Sequence, residues 1–410
     1  MNAYALVVLA ALLAEFGLNL AADLLNLRAL RPELPAEFSD VYDAGSYRRS
    51  QEYTRARTRF GIVTNTFELC TLLAFWALGG FGWLDGLVRG FALGPIASGL
   101  AFIGALGLAK TLIDLPFRYY ATFVIEERFG FNKSTRATFW ADTAKGLALG
   151  LVLGAPLLAA ILWFFESAGA NAWLLCWAVT AGFTLFVQFV APTWIFPLFN
   201  KFTPLSEGAL REAVLRYARE VAFPLEGLFV IDGSRRSTKA NAFFTGFGKR
   251  KRVALFDTLI EKHPVEELVA VVAHEIGHYK KGHIVKGLAL SILQAGAVFW
   301  LLSLVLARPG LFAAFGVGEP SVYAGLVFFS LLYTPLDLVL SFVLQAFSRK
   351  NEFEADAWAR ATTGDGEPLV RALKRLSADS LSNLTPHPLY VKLHHSHPPL
   401  LERIRALRLA

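Results

Sequence analysis

Residues 271–307 read VVAHEIGHYKKGHIVKGLALSILQAGAVFWLLSLVLA. Two kinds of helix meet in this stretch. From Ile284 to Ala307 the only charged residue is Lys286, and the run is long enough, at about 1.5 Å per residue, to cross the hydrocarbon of a bilayer. Just before it, His274 and His278 stand four residues apart with Glu275 between them, so both imidazoles project from one helix face toward a common point. A helix armed with polar chemistry therefore abuts a membrane span.

The rest of the chain repeats the apolar signal. With 410 residues, 55% hydrophobic and 18% charged, the composition is too apolar for an ordinary soluble domain. Seven stretches of sufficient length are expected to span, near 3–25, 60–84, 91–115, 144–165, 172–197, 284–307 and 321–346. The first has no basic residue before Arg28 and is too long for a signal h-region, so it is expected to stay in the mature protein. Lys and Arg collect after spans one, three, five and seven, whereas the other connections hold only Arg89 and Arg308. Short basic loops stay on the cytoplasmic side, which predicts an outside N-terminus and an inside C-terminus. The net charge of +7 is spread over juxtamembrane segments without a nucleic-acid motif, and attraction to lipid head groups explains it. Cys70 and Cys176 fall inside spans and are expected as buried small apolar residues without a disulfide.

Several spans carry polar residues every fourth position: Glu15, Asn19 and Asp23; Lys110, Asp114 and Arg118; Asp337, Ser341 and Gln345. Each set makes one helix face. Ionisable groups avoid lipid, so these faces either pair with one another between packed helices or line a hydrated chamber. Thr64, Asn65 and Glu68, with Thr184 and Gln188, favour the chamber.

Four segments result: 1–199 with spans one to five, 200–283 outside the membrane with a strand hairpin and the HEIGH helix, 284–346 with spans six and seven, and 347–410 after the last span. In the second segment a helix near 206–222 precedes an apolar run from Leu228 to Ile231. A hairpin follows, with strands at 241–247 and 252–257 around a Gly248–Lys251 turn. The helix bearing HEIGH comes next, with Pro264 at its first position, Glu266 and Glu267 in its first turn and Lys280, Lys281 and Gly282 at its end. Two imidazoles with an adjacent carboxylate suit zinc, with Glu275 as general base. Catalytic zinc takes three protein ligands. RKNEFEADAWA at 349–359 offers Glu352 and Asp356 on one face, one to reach the metal and one to support a ligand imidazole, while Glu354 points elsewhere. His263 and His283 read as structural. Among His387, His394, His395 and His397, spacing does not choose a ligand or a transition-state donor.

The blocks DLPFRYYATFVIEERFGFNKST (114–135), PTWIFPLFNKFTPL (192–205), KANAFFTGFGKRKRVALFDTLI (239–260), HEIGH, NEFEADAWA and SHPPLLERIRAL (396–407) together resemble the type I CAAX prenyl proteases, integral-membrane zinc endopeptidases with seven spans. The resemblance implies a mainly α, multi-pass membrane fold, with seven helices around a hydrated chamber and a small zincin-like α+β protease domain on the cytoplasmic side. It assigns zinc to His274, His278 and Glu352, the general base to Glu275 and support of a ligand to Asp356. It also implies a substrate-backbone contact at Asn241 and groups near the scissile carbonyl at His397 and Arg403. Shorter heat-shock membrane metalloproteases share HExxH but lack the early blocks. The family removes the terminal tripeptide of prenylated CAAX proteins. The Ala-, Leu- and Arg-rich composition looks bacterial, which points to an inner membrane and opens a second expectation, quality control of misfolded membrane proteins. A transporter or channel with structural zinc is disfavoured, because structural zinc sites close four protein ligands around the ion whereas this pattern leaves one position open.

Overall fold

A computed structural model describes residues 2–245 and 251–409. Among the described residues seven helices are long and apolar enough to cross a membrane: α1 (Ala3–Arg28), α2 (Ala44–Ala77), α3 (Pro95–Glu126), α4 (Arg136–Ser167), α5 (Gly169–Phe199), and two further on. Residues after α5 form β1 (Phe202–Pro204), α6 (Ala209–Glu220), β2 (Leu225–Ile231), β3 (Ala242–Thr245), β4 (Lys251–Phe256) and α7 (Val265–Lys280). The last two spanning helices are α8 (His283–Val305) and α9 (Val322–Thr363), and α10 (Glu367–Asp379), α11 (Pro388–His394) and α12 (Leu400–Leu409) end the chain.

Helix boundaries follow local chemistry. Asp43 and Ser46 form a reciprocal capping box that starts α2, well before the expected position 60. That helix also stops early, because Gly79 takes a left-handed conformation with φ 75°, which glycine adopts without steric cost. Residues 80–84, expected in span two, instead open a separate helix, Gly80–Gly90. Pro264 caps α7 rather than beginning it. Wider turns interrupt α3, α4 and α5 at Ala121–Glu126, Gly150–Gly154 and Ala191–Ile195. Pro116, Pro156 and Pro192 lie beside or within them, and each proline removes one backbone donor from the helical ladder.

The largest departure from expectation is α9. The boundary placed between 346 and 347 does not exist as a structural break, because α9 runs unbroken for 42 residues from its Ser321 cap to Gly364. Between Pro335 and Gly364 the sequence has neither glycine nor proline, so nothing stops the helix at the end of the apolar run. The seventh span thus carries NEFEADAWA on the same rigid rod.

The sheet order is β1-β2-β4-β3, with β2 and β4 parallel and both outer pairs antiparallel. The expected hairpin is present, with Ala242 opposite Leu255 and Thr245 opposite Arg252; its turn lies mostly outside the described residues. One core joins this sheet to its helices. Val253 and Leu255 of β4, Val214 of α6, Leu268, Val272 and Ile276 of α7, Val370 of α10 and Ile404 of α12 pack with Phe38 and Tyr42 from the α1–α2 connection and Tyr47 in the first turns of α2. Each such side chain contributes about 1.5–3 kcal/mol by burial. A second, aromatic cluster holds the opposite ends of the spans, with Phe315 stacked on Phe328 at 4.1 Å between centroids.

Between the spans lies a cavity of about 710 Å³, into which Glu15, Asn19 and Asp23 of α1, Asn65 and Glu68 of α2 and Lys110 of α3 all open. Lys110 also pairs with Asp114 at 2.7 Å and with Glu68 at 3.2 Å. Pairing and cavity lining therefore coexist on the same residues. Asp337 lines a smaller hollow of about 300 Å³ together with Glu15. Cys176 is buried as expected, but Cys70 is exposed, on a side of α2 where Val63, Thr66 and Ala74 are exposed as well.

Candidate active site

The helix α7 is held at both ends. Glu267 in its first turn is buried, with His263 Nδ1 at 2.8 Å and Arg375 Nε donating to it at 3.1 Å. At the other end, Gly277 lets α9 come close: a Cβ on Gly277 would sit 3.0 Å from the carbonyl oxygen of Ala355 and 3.1 Å from its Cα. The glycine of HEIGH is what lets two helix backbones touch where the chemistry converges.

At that crossing, His274 Nε2 and His278 Nε2 are 3.2 Å apart. Glu352 brings Oε2 to 3.5 Å from His274 Nε2 and Oε1 to 3.3 Å from His278 Nε2. Two ligand atoms about 2.05 Å from one ion at the tetrahedral angle lie about 3.3 Å apart, so the separation of the two imidazole nitrogens matches a shared ion, and the Glu352 carboxylate turns one oxygen toward each of them. Among the described residues this is the one group of three His, Cys, Asp or Glu side chains close enough to hold a metal. Glu352 Oε2 is moreover buried without a hydrogen-bond partner among the described residues, although His397 Nδ1 is 2.8 Å away and Arg403 Nη1 3.4 Å. A buried carboxylate oxygen left in this way suits a cation ligand.

The surrounding groups fall into two shells. Asp356 Oδ1 lies 2.8 Å from His274 Nδ1, and Arg403 grips Asp356 with two bonds, Nε to Oδ2 at 2.8 Å and Nη2 to Oδ1 at 2.6 Å. Burial alone would lower the His274 imidazole, but hydrogen bonds to Asp356 and Glu352 outweigh it and hold it at about 9. These two carboxylates thus favour positive charge at the imidazole. Burial pushes the Glu275 carboxyl up, while His274 and His278 pull it the other way. The His397 side chain is 63% exposed yet reaches Glu352, which leaves its ring open to a second partner.

Of the four C-terminal histidines left open by spacing, only His397 reaches the ligands. His387 caps α11 by accepting from Leu389 N–H, and His394 and His395 pack against Tyr390. Arg403 is buried behind Asp356. Asn241 is exposed immediately before edge strand β3, its Oδ1 accepting from Ala242 N–H and its carbonyl from Phe256 N–H.

Residues 204–410 match the family described as Peptidase family M48, and residues 23–201 match its CAAX prenyl protease N-terminal region of five membrane helices. The chain belongs to peptidase family M48. Similar M48 proteins include CAAX prenyl protease 1 of Saccharomyces cerevisiae, 36% identical over 92% of this chain and 88% of the yeast protein. The CAAX prenyl protease 1 homolog of Arabidopsis thaliana is 38% identical over 94% of this chain and 93% of its own length. The human homolog is 33% identical over 92% and 88%. The crystal structure of S. mikatae Ste24p superposes with a TM-score of 0.92 at 34% identity, covering 99% of both chains. This M48 protein is a multi-pass membrane metalloprotease, and the expected fold class is borne out.

Two contacts beside the HEIGH histidines were not anticipated in the sequence. His283, read as structural, places Nδ1 3.0 Å from His278 Nδ1. Glu354, expected to point elsewhere, does leave the metal face, yet its Oε2 lies 3.1 Å from His283 Nε2. The available signal was Gly282, whose left-handed φ of 70° turns the chain so that a residue five beyond His278 can fold back onto it.

Proposed function

We propose that the chain is a zinc endopeptidase that cleaves near the C-terminus of prenylated CAAX proteins, with His274, His278 and Glu352 as metal ligands. The observation that carries the metal assignment is the convergence of the two imidazole nitrogens, 3.2 Å apart, on the Glu352 carboxylate, with one ligand atom from each residue within 4.8 Å of the others. Zinc, when bound, supplies a Lewis-acid position that makes water reactive near neutral pH. Glu275, next in sequence to a ligand and desolvated, takes the proton and passes it to the departing amine. His397, exposed beside Glu352, donates toward the oxygen of the scissile carbonyl. Asp356 orients His274, and Arg403 holds Asp356 in place. Asn241, at the free edge of the sheet, meets the extended peptide backbone.

The substrate class rests on likeness to CAAX prenyl protease 1 proteins along nearly the whole chain. The intramembrane cavity adds Leu12, Phe16, Leu20, Ile62 and Leu69, apolar walls suited to an isoprenoid. The cell location is proposed as an inner membrane with the site facing the cytoplasm, following the basic connections. The test is cleavage of a farnesylated CAAX peptide by purified protein beside an unprenylated peptide and a chelated control. Chelator-sensitive cutting of the prenylated peptide alone is expected. Equal cutting of unprenylated, unfolded membrane segments would replace this substrate with the quality-control reading.

A further inference from the structure

Both imidazoles of HEIGH need something behind them. A ligand histidine presents one nitrogen to the metal, and the group on its other nitrogen fixes ring orientation and tautomer. Behind His274 that group is Asp356. Behind His278 the neighbour is His283 Nδ1, at 3.0 Å.

We propose that His283, anchored by Glu354, is a positioning residue for His278, accepting its Nδ1 hydrogen so that the Nε2 lone pair faces the ion. The proposal rests on His278 being a ligand. The direction of each bond follows from the donor inventory. A carboxylate only accepts, so His283 Nε2 carries the hydrogen shared with Glu354 Oε2 at 3.1 Å. The neutral ring then has a bare Nδ1, which accepts from His278 Nδ1–H. His278 Nε2 is left bare, 3.2 Å from His274 Nε2 and 3.3 Å from Glu352 Oε1. Reversing the chain would put a hydrogen on His278 Nε2 and remove its capacity to ligate.

Geometry explains why an imidazole is needed here rather than a carboxylate alone. Glu354 lies two residues beyond Glu352 on α9, about 200° around the helix, so it faces away from the ion. It reaches the first residue of α8 instead, and the His283 ring bridges the remaining gap. The left-handed turn at Gly282 brings that residue back against the end of α7. The His283 side chain is only 4% exposed, which shields both of its bonds from water. One helix, α9, thereby holds His278 on two sides, through Glu352 at the metal and through Glu354 behind the ring.

A competing role is purely mechanical, with His283 and Glu354 pinning the start of α8 to α9. That role predicts a loss of stability without a change in metal retention. The experiment uses full-length protein in detergent, loaded with zinc, and follows zinc release into excess chelator together with thermal unfolding of the metal-free protein. His283→Ala and Glu354→Ala are expected to release zinc about 10–100-fold faster than the native protein, with metal-free unfolding close to native. His283→Gln, whose side-chain carbonyl accepts the same hydrogen while its amide reaches Glu354, is expected to recover most of the retention. Native release rates in both alanine variants overturn the proposal, as does a loss that Gln fails to rescue and that tracks a lower metal-free melting temperature. Should His283→Ala not fold, Glu354→Ala decides, since that side chain is 35% exposed and its removal leaves no core cavity. His278→Ala runs in parallel: if it still binds zinc at native strength, the ligand assignment itself has failed, and the relay with it.

Discussion

Glu275 and Glu352 are both carboxylates at the same crossing, yet their surroundings assign them different work. Glu352 sits inside the ligand triangle, whereas Glu275 stands beside it in a desolvated position. Glu275→Gln is therefore expected to keep zinc and lose at least ~10²-fold in turnover, the lower end of general-base assistance. A zinc-loaded variant with near-native turnover would remove the assignment. Glu352→Ala is expected to lose zinc first, and full occupancy by elemental analysis would shift the third ligand elsewhere. Asp356 serves two partners, and its removal has two costs. Besides weakening metal binding about 10–100-fold, Asp356→Ala takes both of its bonds from the buried Arg403 and leaves it only the longer approach to Glu352 at 3.4 Å, a loss that costs up to about 3–5 kcal/mol. Adding Arg403→Leu is expected to restore much of that stability in a denaturation experiment and none of the metal affinity. Recovery of both would mean that Asp356 acts on the fold alone.

The meeting of α7 with α9 decides whether these side chains converge. Gly277→Ala tests it, because two effects oppose each other there. Alanine improves helix propensity by about 1 kcal/mol, but its methyl would press on the Ala355 backbone, which has no rotamer to yield. Overpacking of this kind costs about 1–3 kcal/mol. The methyl is expected to win, widening the crossing and lowering zinc affinity in a chelator competition. A variant with unchanged affinity and a raised melting temperature would show that α9 shifts freely. The same contact explains why HEIGH and NEFEADAWA act as one unit although some seventy residues separate them.

Across the whole molecule, the spans enclose a cavity that the polar face of α1 enters. With Cys70 and Cys176 replaced, a cysteine at position 19 is expected to react with a small membrane-impermeant thiol reagent. One at position 17, about 200° around the helix from position 19 and with open space where its Cβ would stand, is expected to face lipid and be protected. Equal protection at both positions would show that water does not reach the cavity.

The number of spans, the HEIGH helix, the hairpin and the paired acidic residues at 352 and 356 were all legible from local pattern, since hydropathy and helical spacing act within a few turns. The uninterrupted course of α9 was in principle legible too, in its lack of Gly and Pro, but the change from apolar to charged residues masked it. The contact of His283 with His278 was not legible, and spacing did not choose His397 among four histidines, which only the family resemblance singled out. Those depend on how α7, α8, α9 and the C-terminal segment meet, and a contact between distant segments leaves no periodic trace in either. The sequence by itself therefore determined a membrane-spanning metalloprotease with a two-histidine helix. Tertiary structure alone decided which groups stand behind each imidazole, because packing at a Gly277-sized gap, rather than spacing along the chain, sets those distances.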